Sequence, residues 1–108
     1  MTKVIFYKNK KGDFFGFEAK GHAGGGEEGF DIYCAAISAI TQTACIGLED
    51  VCKCKLDLKM RDGYLKATIS SKEAEQENCQ TVFKTLNLGL QSFKEENPKY
   101  IQIFEEVQ

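Results

Sequence analysis

The sequence contains one histidine, one proline and no tryptophan among its 108 residues. Any chemistry that requires an imidazole must therefore use His22. No apolar run approaches the roughly 18 residues that predict a membrane-spanning helix, and no charged and then apolar leader precedes the first strand-like pattern. In such a chain the five cysteines are typical of reduced thiols rather than of a disulfide framework. We therefore expect a cytoplasmic protein without a membrane partner.

Neither sign of charge dominates, since the formal net charge is −2. This balance argues against a general phosphate-binding surface. Lys8, Lys10 and Lys11 form a local basic cluster, which we interpret as the solvated tip of a hairpin. Direct binding of nucleic acid is therefore not expected.

The chain also lacks a C-x-x-C knuckle, the spacing that brings thiolates together in many zinc sites. Cys52 and Cys54 instead alternate with lysines, as the apolar residues of a strand do. No metal site is therefore predicted. Four cysteines are expected to pack in the core as small apolar residues, namely Cys45, Cys52, Cys54 and Cys79.

Alternation of apolar and polar residues predicts two hairpins. The first covers the first twenty residues, where Phe15, Phe17 and Ala19 form the apolar side of its second strand. A mostly buried helix is predicted from residue 31 to about residue 50 by apolar residues at helical spacing. The second hairpin then runs from residue 52 to 69, with its turn at Asp62 and Gly63.

The remainder predicts one more helix and a closing strand. Ser70 and Glu73 form a capping box before an apolar stripe that ends ahead of Pro98, and residues 101–107 complete the pattern. The order β-β-α-β-β-α-β predicts a two-layer α/β sandwich, with two helices on one face of a mostly antiparallel or mixed sheet. Its length predicts a single domain over residues 1–108, with function at the edge of one core.

A glycine-rich loop joins His22 to the predicted helix start, where Cys34 lies. A thiol has a pKa of about 8.5 and is mostly protonated at neutral pH, so a thiolate nucleophile needs stabilisation. Asp31 is a good N-cap, which places Cys34 among the free N–H groups at the positive end of the helix. His22 and Cys34 are therefore the candidate general base and nucleophile.

Other residues near this pair have predicted supporting roles. The backbone N–H groups of Cys34 and Ala35 are candidate oxyanion donors, and Ser38 lies one helical turn after Cys34 on the same face. Asp31 either only caps the helix or also orients His22. The loop is expected to be flexible and to order over a substrate segment that contacts Phe30 and Tyr33. Its glycines are Gly21, Gly24, Gly25, Gly26 and Gly29.

The run Gly21-His22-Ala23-Gly24, the eleven residues between His22 and Cys34, and the run from Asp31 to Ser38 resemble the signature of the bacterial ribosomal-processing cysteine protease family. The likeness in length and element order extends over nearly the whole chain. Tyr33 stands where a small aliphatic residue is expected.

The resemblance implies that His22 and Cys34 are the catalytic pair, with Asp31 and Ser38 in support. It implies a small cytoplasmic homodimer that removes a short N-terminal extension from a large-subunit ribosomal protein, cutting after a paired-aromatic stretch. The reaction would pass through a thioester and would need no cofactor.

Two other interpretations remain open at this stage. The first is a non-catalytic ribosome-assembly factor whose glycine-rich loop grips a peptide or an RNA element. The second is a thiol redox sensor, for which Cys45 or Cys79 would have to approach Cys34 as the resolving thiol.

Overall fold

The structure, a computed structural model, describes residues 1–22 and 31–108. Within these two ranges, five strands form one mixed sheet in the order β3-β4-β2-β1-β5. Neighbouring strands are antiparallel except β1 and β5, which run parallel. The strands are β1 (Thr2–Lys8), β2 (Phe14–Lys20), β3 (Asp57–Arg61), β4 (Tyr64–Thr68) and β5 (Ile101–Val107).

The helices supply the second layer and share one core with the sheet. They are α1 (Ile32–Ile46), which continues into a π-helical turn (Gly47–Val51), the short α2 (Ser71–Ala74) and α3 (Glu77–Glu96). Phe6 and Phe17 from the sheet pack in the same buried cluster as Ile37 of α1 and Phe83 of α3. The predicted α/β architecture is confirmed, with the extra turn of α2 inserted after the Ser70 capping box.

A β-bulge changes which aromatic residue of β2 enters the core. The register pairs Phe6 with Phe17 and Lys8 with Phe14, and it shifts between Tyr7 and Lys8. Phe14 is therefore buried, whereas Phe15, predicted on the core side, is only partly buried beside Tyr7. The strict alternation predicted for this strand is wrong at this end, because the extra residue reverses the two faces.

The strand predicted from residue 52 is shorter than expected. Residues 52–56 are not in the sheet, and two of their backbone N–H groups instead donate to the preceding π-helical turn. The N–H of Cys52 donates to the Gly47 carbonyl at 2.9 Å, and that of Cys54 donates to the Leu48 carbonyl at 3.0 Å. Lys53 takes a left-handed conformation with φ of 60° to allow this turn.

The predicted extent of α1 is confirmed, but its predicted burial is wrong. One side of the helix packs into the core, while Ile32, Ile46 and Val51 are 70%, 57% and 74% exposed. The reason is geometric, since one sheet and one neighbouring helix cover only part of its circumference. By length and composition alone Ile32–Val51 could cross a membrane, a test that core helices of soluble proteins also meet.

The four cysteines other than Cys34 are all buried, as predicted for packing residues. The sulfurs of Cys54 and Cys79 lie 3.1 Å apart, and burial raises the pKa of both thiols. Burial also raises the pKa of Cys45 to about 11, with the Glu49 carboxylate adding to the effect. The redox-sensor interpretation considers Cys79 as the thiol that would resolve Cys34. In the structure, the sulfur that lies next to Cys79 is that of Cys54.

Candidate active site

Asp31 is the N-cap of α1, as predicted. Its carboxylate Oδ1 accepts hydrogen bonds from the backbone N–H groups of Tyr33 at 2.9 Å and Cys34 at 3.2 Å. The side chain is buried, so these bonds are shielded from water. They anchor the first turn of the helix and therefore the backbone from which the Cys34 thiol projects.

Gly21 directly follows β2 and has a backbone conformation that residues other than glycine rarely adopt. Its φ is +96°, and a Cβ built there would lie 2.6 Å from the Met1 carbonyl oxygen. Its N–H donates to the Gly63 carbonyl at 2.9 Å, and its own carbonyl accepts from the Thr2 hydroxyl at 3.4 Å. This pinned backbone directs the following residue, His22, towards the start of α1.

The structure brings His22 and Cys34 together. Nδ1 of the imidazole lies 3.9 Å from the Cys34 sulfur, which is within loose hydrogen-bond reach for sulfur. The histidine is about half exposed and the cysteine is partly buried. Catalytic hydrogen bonds are often long before substrate binds, so this geometry suits proton transfer from the thiol to Nδ1.

The pair opens into a cleft of about 130 Å³ between α1 and the β3–β4 turn. Cys34, Ser38 and Gln42 line its helical wall at spacings of four residues, which places them on one face. Gln42 was not identified from the sequence as a site residue. The same four-residue spacing, extended one turn beyond Ser38, is the signal that would have found it.

Both predicted oxyanion donors are engaged in the structure. The Cys34 N–H donates to the Asp31 carboxylate at 3.2 Å, and the Ala35 N–H donates to the Asp31 carbonyl at 3.1 Å. An oxyanion at this place would have to share or displace these bonds. The hydroxyl of Ser38 and the amide of Gln42 are additional donors on the same wall of the cleft.

Asp62 is the second residue that sequence reasoning missed. Its Oδ2 lies 3.8 Å from His22 Nε2, and its side chain is 76% exposed. The sequence indicates only a turn at Asp62-Gly63, because nothing in it relates a turn at residue 62 to a histidine 40 positions earlier. The contact depends on how β2 pairs with β4.

Tyr33, expected to contact substrate, packs against two aromatic residues of the fold. Its ring stacks on Tyr100 with a centroid distance of 3.9 Å and meets Phe93 edge-on at 6.5 Å. These contacts tie the first turn of α1 to α3 and to the segment before β5.

The other predictions for the glycine-rich loop concern residues outside those that the structure describes, namely Gly24, Gly25, Gly26, Gly29 and Phe30.

A thiol beside an imidazole at the start of a helix, in a cleft of an α/β fold, is typical of cysteine-dependent hydrolases. The family model of the cysteine protease Prp matches residues 1–102. The chain therefore belongs to the Prp family of cysteine proteases.

Solved structures show the same fold along the whole chain. The essential ribosomal processing protease Prp from S. aureus, in complex with a covalently linked product peptide, superposes with a TM-score of 0.88 at 24% identity, covering 98% of this chain and 100% of that chain. SMU.848 from Streptococcus mutans has a TM-score of 0.86 at 32% identity, covering 100% and 96% of the two chains. Among curated proteins, sequence comparison finds no match.

Proposed function

We propose that this protein is a cysteine endopeptidase that removes the N-terminal extension of a large-subunit ribosomal protein, with Cys34 as nucleophile and His22 as general base. The observation that carries the proposal is the 3.9 Å approach of His22 Nδ1 to the Cys34 sulfur inside a cleft. Membership of the cysteine protease family supports it. The S. aureus relative is a ribosomal processing protease and has also been solved with a substrate peptide.

The first half of the reaction forms an acyl-enzyme. His22 Nδ1 takes the proton from the Cys34 thiol, and the thiolate attacks the carbonyl carbon of the scissile peptide bond. The carbon–nitrogen bond then breaks, and the imidazolium returns its proton to the leaving amine. The N-terminal extension remains attached to Cys34 as a thioester, and the trimmed protein leaves.

The second half releases the extension. His22 Nδ1 takes a proton from a water molecule, whose oxygen attacks the thioester carbonyl. The carbon–sulfur bond breaks, the thiolate takes the proton back from the imidazolium, and the extension leaves as a carboxylic acid, which releases its remaining proton to solvent. The extension and the trimmed protein thus account for every atom, and no cofactor enters the reaction.

The supporting residues act on the position and charge of this centre. Asp31 holds the helix start that presents Cys34, and Ser38 faces the same cleft. We include the N–H groups of Cys34 and Ala35 as oxyanion donors that share their bonds with Asp31 when substrate binds. In this proposal one domain over residues 1–108 works in the cytoplasm as a homodimer.

The test is a defined truncation of a candidate substrate. The protein is incubated with N-terminally extended ribosomal proteins from the same cell, and the products are weighed by mass spectrometry. Wild type should shorten one of them at a single site, and Cys34→Ala should leave it intact. Cys45→Ala is the control, because it removes a buried sulfur that lies outside the catalytic pair. Truncation by Cys34→Ala at the wild-type rate would contradict the proposal.

A further inference from the structure

The geometry points to Asp62 as the residue that positions His22, acting from the β3–β4 turn through the imidazole nitrogen remote from Cys34. This inference rests on the proposed catalytic pair and adds a third member to it. Asp62 touches neither substrate nor the reacting sulfur in this scheme. It acts on the orientation and protonation of the histidine.

Two polar contacts join the β3–β4 turn to Gly21 and His22, which directly follow β2, and Gly63 lies close to the imidazole. The Gly21 N–H donates to the Gly63 carbonyl at 2.9 Å, and Asp62 Oδ2 lies 3.8 Å from His22 Nε2. A Cβ built on Gly63 would lie 2.9 Å from that same nitrogen. The turn therefore closes against the imidazole, so that one ring nitrogen faces the carboxylate and the other faces the thiol.

The turn is itself held in place against β2. Tyr64, the first residue of β4, donates its hydroxyl to Glu18 Oε2 at 2.7 Å. The guanidinium of Arg61, the last residue of β3, lies 4.2 Å from the centroid of the Tyr64 ring. Both residues that flank the turn are thus engaged, and Asp62 is presented from a fixed backbone.

The chemistry of imidazole explains what this carboxylate would do. A neutral ring carries its proton on one nitrogen, and it can accept the Cys34 proton on Nδ1 only if that proton is on Nε2. A carboxylate facing Nε2 favours this tautomer and stabilises the imidazolium formed after proton transfer. In this scheme Asp62 exchanges no proton with His22, because every proton that the histidine takes up or releases passes through Nδ1.

The size of the expected effect on kcat depends on how exposed the Asp62 side chain is. Because the Asp62 side chain is 76% exposed, water and salt screen its charge. Exposed ion pairs correspond to a change of about two- to fivefold in a rate. We therefore expect Asp62→Asn to lower kcat by about two- to fivefold with little change in KM, and Asp62→Glu to recover part of the loss.

Asp57→Asn is the matched control for charge. Asp57 is exposed at the start of β3, the end of that strand remote from the turn, where it pairs with Thr68. The substitution Asp57→Asn removes the same charge at a site that does not contact His22, so its kcat and KM should match those of wild type. The difference in kcat between wild type and Asp62→Asn should become smaller as salt is added, because salt screens the charge of Asp62. A loss of folding would not produce this salt dependence.

Gly63 provides a second, steric test with its own control. Gly63→Ala puts a methyl group against His22 Nε2 at a φ of +69°, whereas Gly12→Ala meets a similar φ of +88° with nothing within 4 Å. Both variants strain a turn, but only the first displaces the imidazole. Gly63→Ala should therefore lose kcat, and Gly12→Ala should lose only stability.

Two readouts need no substrate and separate this inference from the proposed function. Since His22 is the only histidine, its imidazole ¹⁵N signals are identified without assignment, and Asp62→Asn should shift them while Asp57→Asn does not. Alkylation of Cys34 by iodoacetamide should be slower in Asp62→Asn than in wild type. Unchanged ¹⁵N signals and an unchanged alkylation rate in Asp62→Asn would overturn the role of Asp62. Cleavage by Cys34→Ala would instead overturn the proposed function.

Discussion

The rings of Tyr33 and Tyr100 stack in parallel, 3.9 Å apart at an interplanar angle of 12°. Tyr33 is the residue immediately before Cys34, and its backbone N–H also donates to the Asp31 cap. The stack therefore connects the nucleophile's helical turn to the segment between α3 and β5. The stack holds the first turn of α1 by packing, whereas Asp31 holds the same turn by hydrogen bonds.

Loss of this stack should loosen the helix start. We expect Tyr33→Ala to lower the free energy of unfolding by about 2 kcal/mol, because it removes an aromatic contact and partly buried area. Urea denaturation followed by circular dichroism would measure the change. Tyr33→Phe keeps the stacked ring and serves as the control. Equal stability of wild type and Tyr33→Ala would show that the stack contributes nothing.

The Cys34 thiol should be the first of the five to react with an alkylating reagent. Cys34 is partly exposed at the cleft, whereas the other thiols are buried, and burial raises the pKa of Cys45, Cys54 and Cys79. Brief treatment with iodoacetamide near neutral pH, followed by peptide mass spectrometry, should find the label on Cys34. A label spread evenly over all five residues would contradict the structure.

Asp31 should tolerate replacement by asparagine better than by alanine. Asparagine is also a strong N-cap, whereas alanine loses the bonds to Tyr33 and Cys34 and should cost about 1 kcal/mol of stability. We expect Asp31→Asn to retain most proteolytic activity and Asp31→Ala to lose part of both activity and stability. If Asp31→Asn lost its activity with an unchanged melting temperature, the charge of Asp31 would be needed to orient His22.

Stability should fall in alkaline solution. Burial raises the pKa of Cys45 to about 11 in the folded chain, whereas the exposed thiol of the unfolded chain has a pKa of about 8.5. Its stabilising contribution is therefore complete below about pH 8.5 and is lost as the pH rises towards 11. Cys54 and Cys79, whose pKa values burial also raises, act in the same direction.

The measurement is the free energy of unfolding in urea at several values between about pH 8 and about pH 10.5. Wild type should become less stable over this range, and Cys45→Ala should show a shallower decline from a lower starting stability. A free energy of unfolding that rises with pH would refute the assignment to buried thiols, and a slope unaffected by Cys45→Ala would refute the contribution of Cys45.

Interactions between residues close in the sequence were the most predictable. The Asp31 cap and the Ser70–Glu73 capping box both form as expected, because each joins groups within one helical turn. The prediction for Phe15 failed, since a bulge depends on the partner strand. The strand predicted at residues 52–56 did not form, because carbonyls of the π-helical turn after α1 accept hydrogen bonds from Cys52 and Cys54.

The sequence by itself determined the α/β order of elements, the helix start at Asp31 and the two residue types of the candidate pair. Tertiary structure decided which groups surround that pair. The antiparallel pairing of β2 with β4 brings Lys20 opposite Tyr64, and this register carries the Asp62-Gly63 turn to His22. Such a contact joins residues 40 positions apart, and no local propensity encodes it. It arises from the register between the two strands, in which a slip of one residue is excluded because it would turn the apolar face of one strand away from the core.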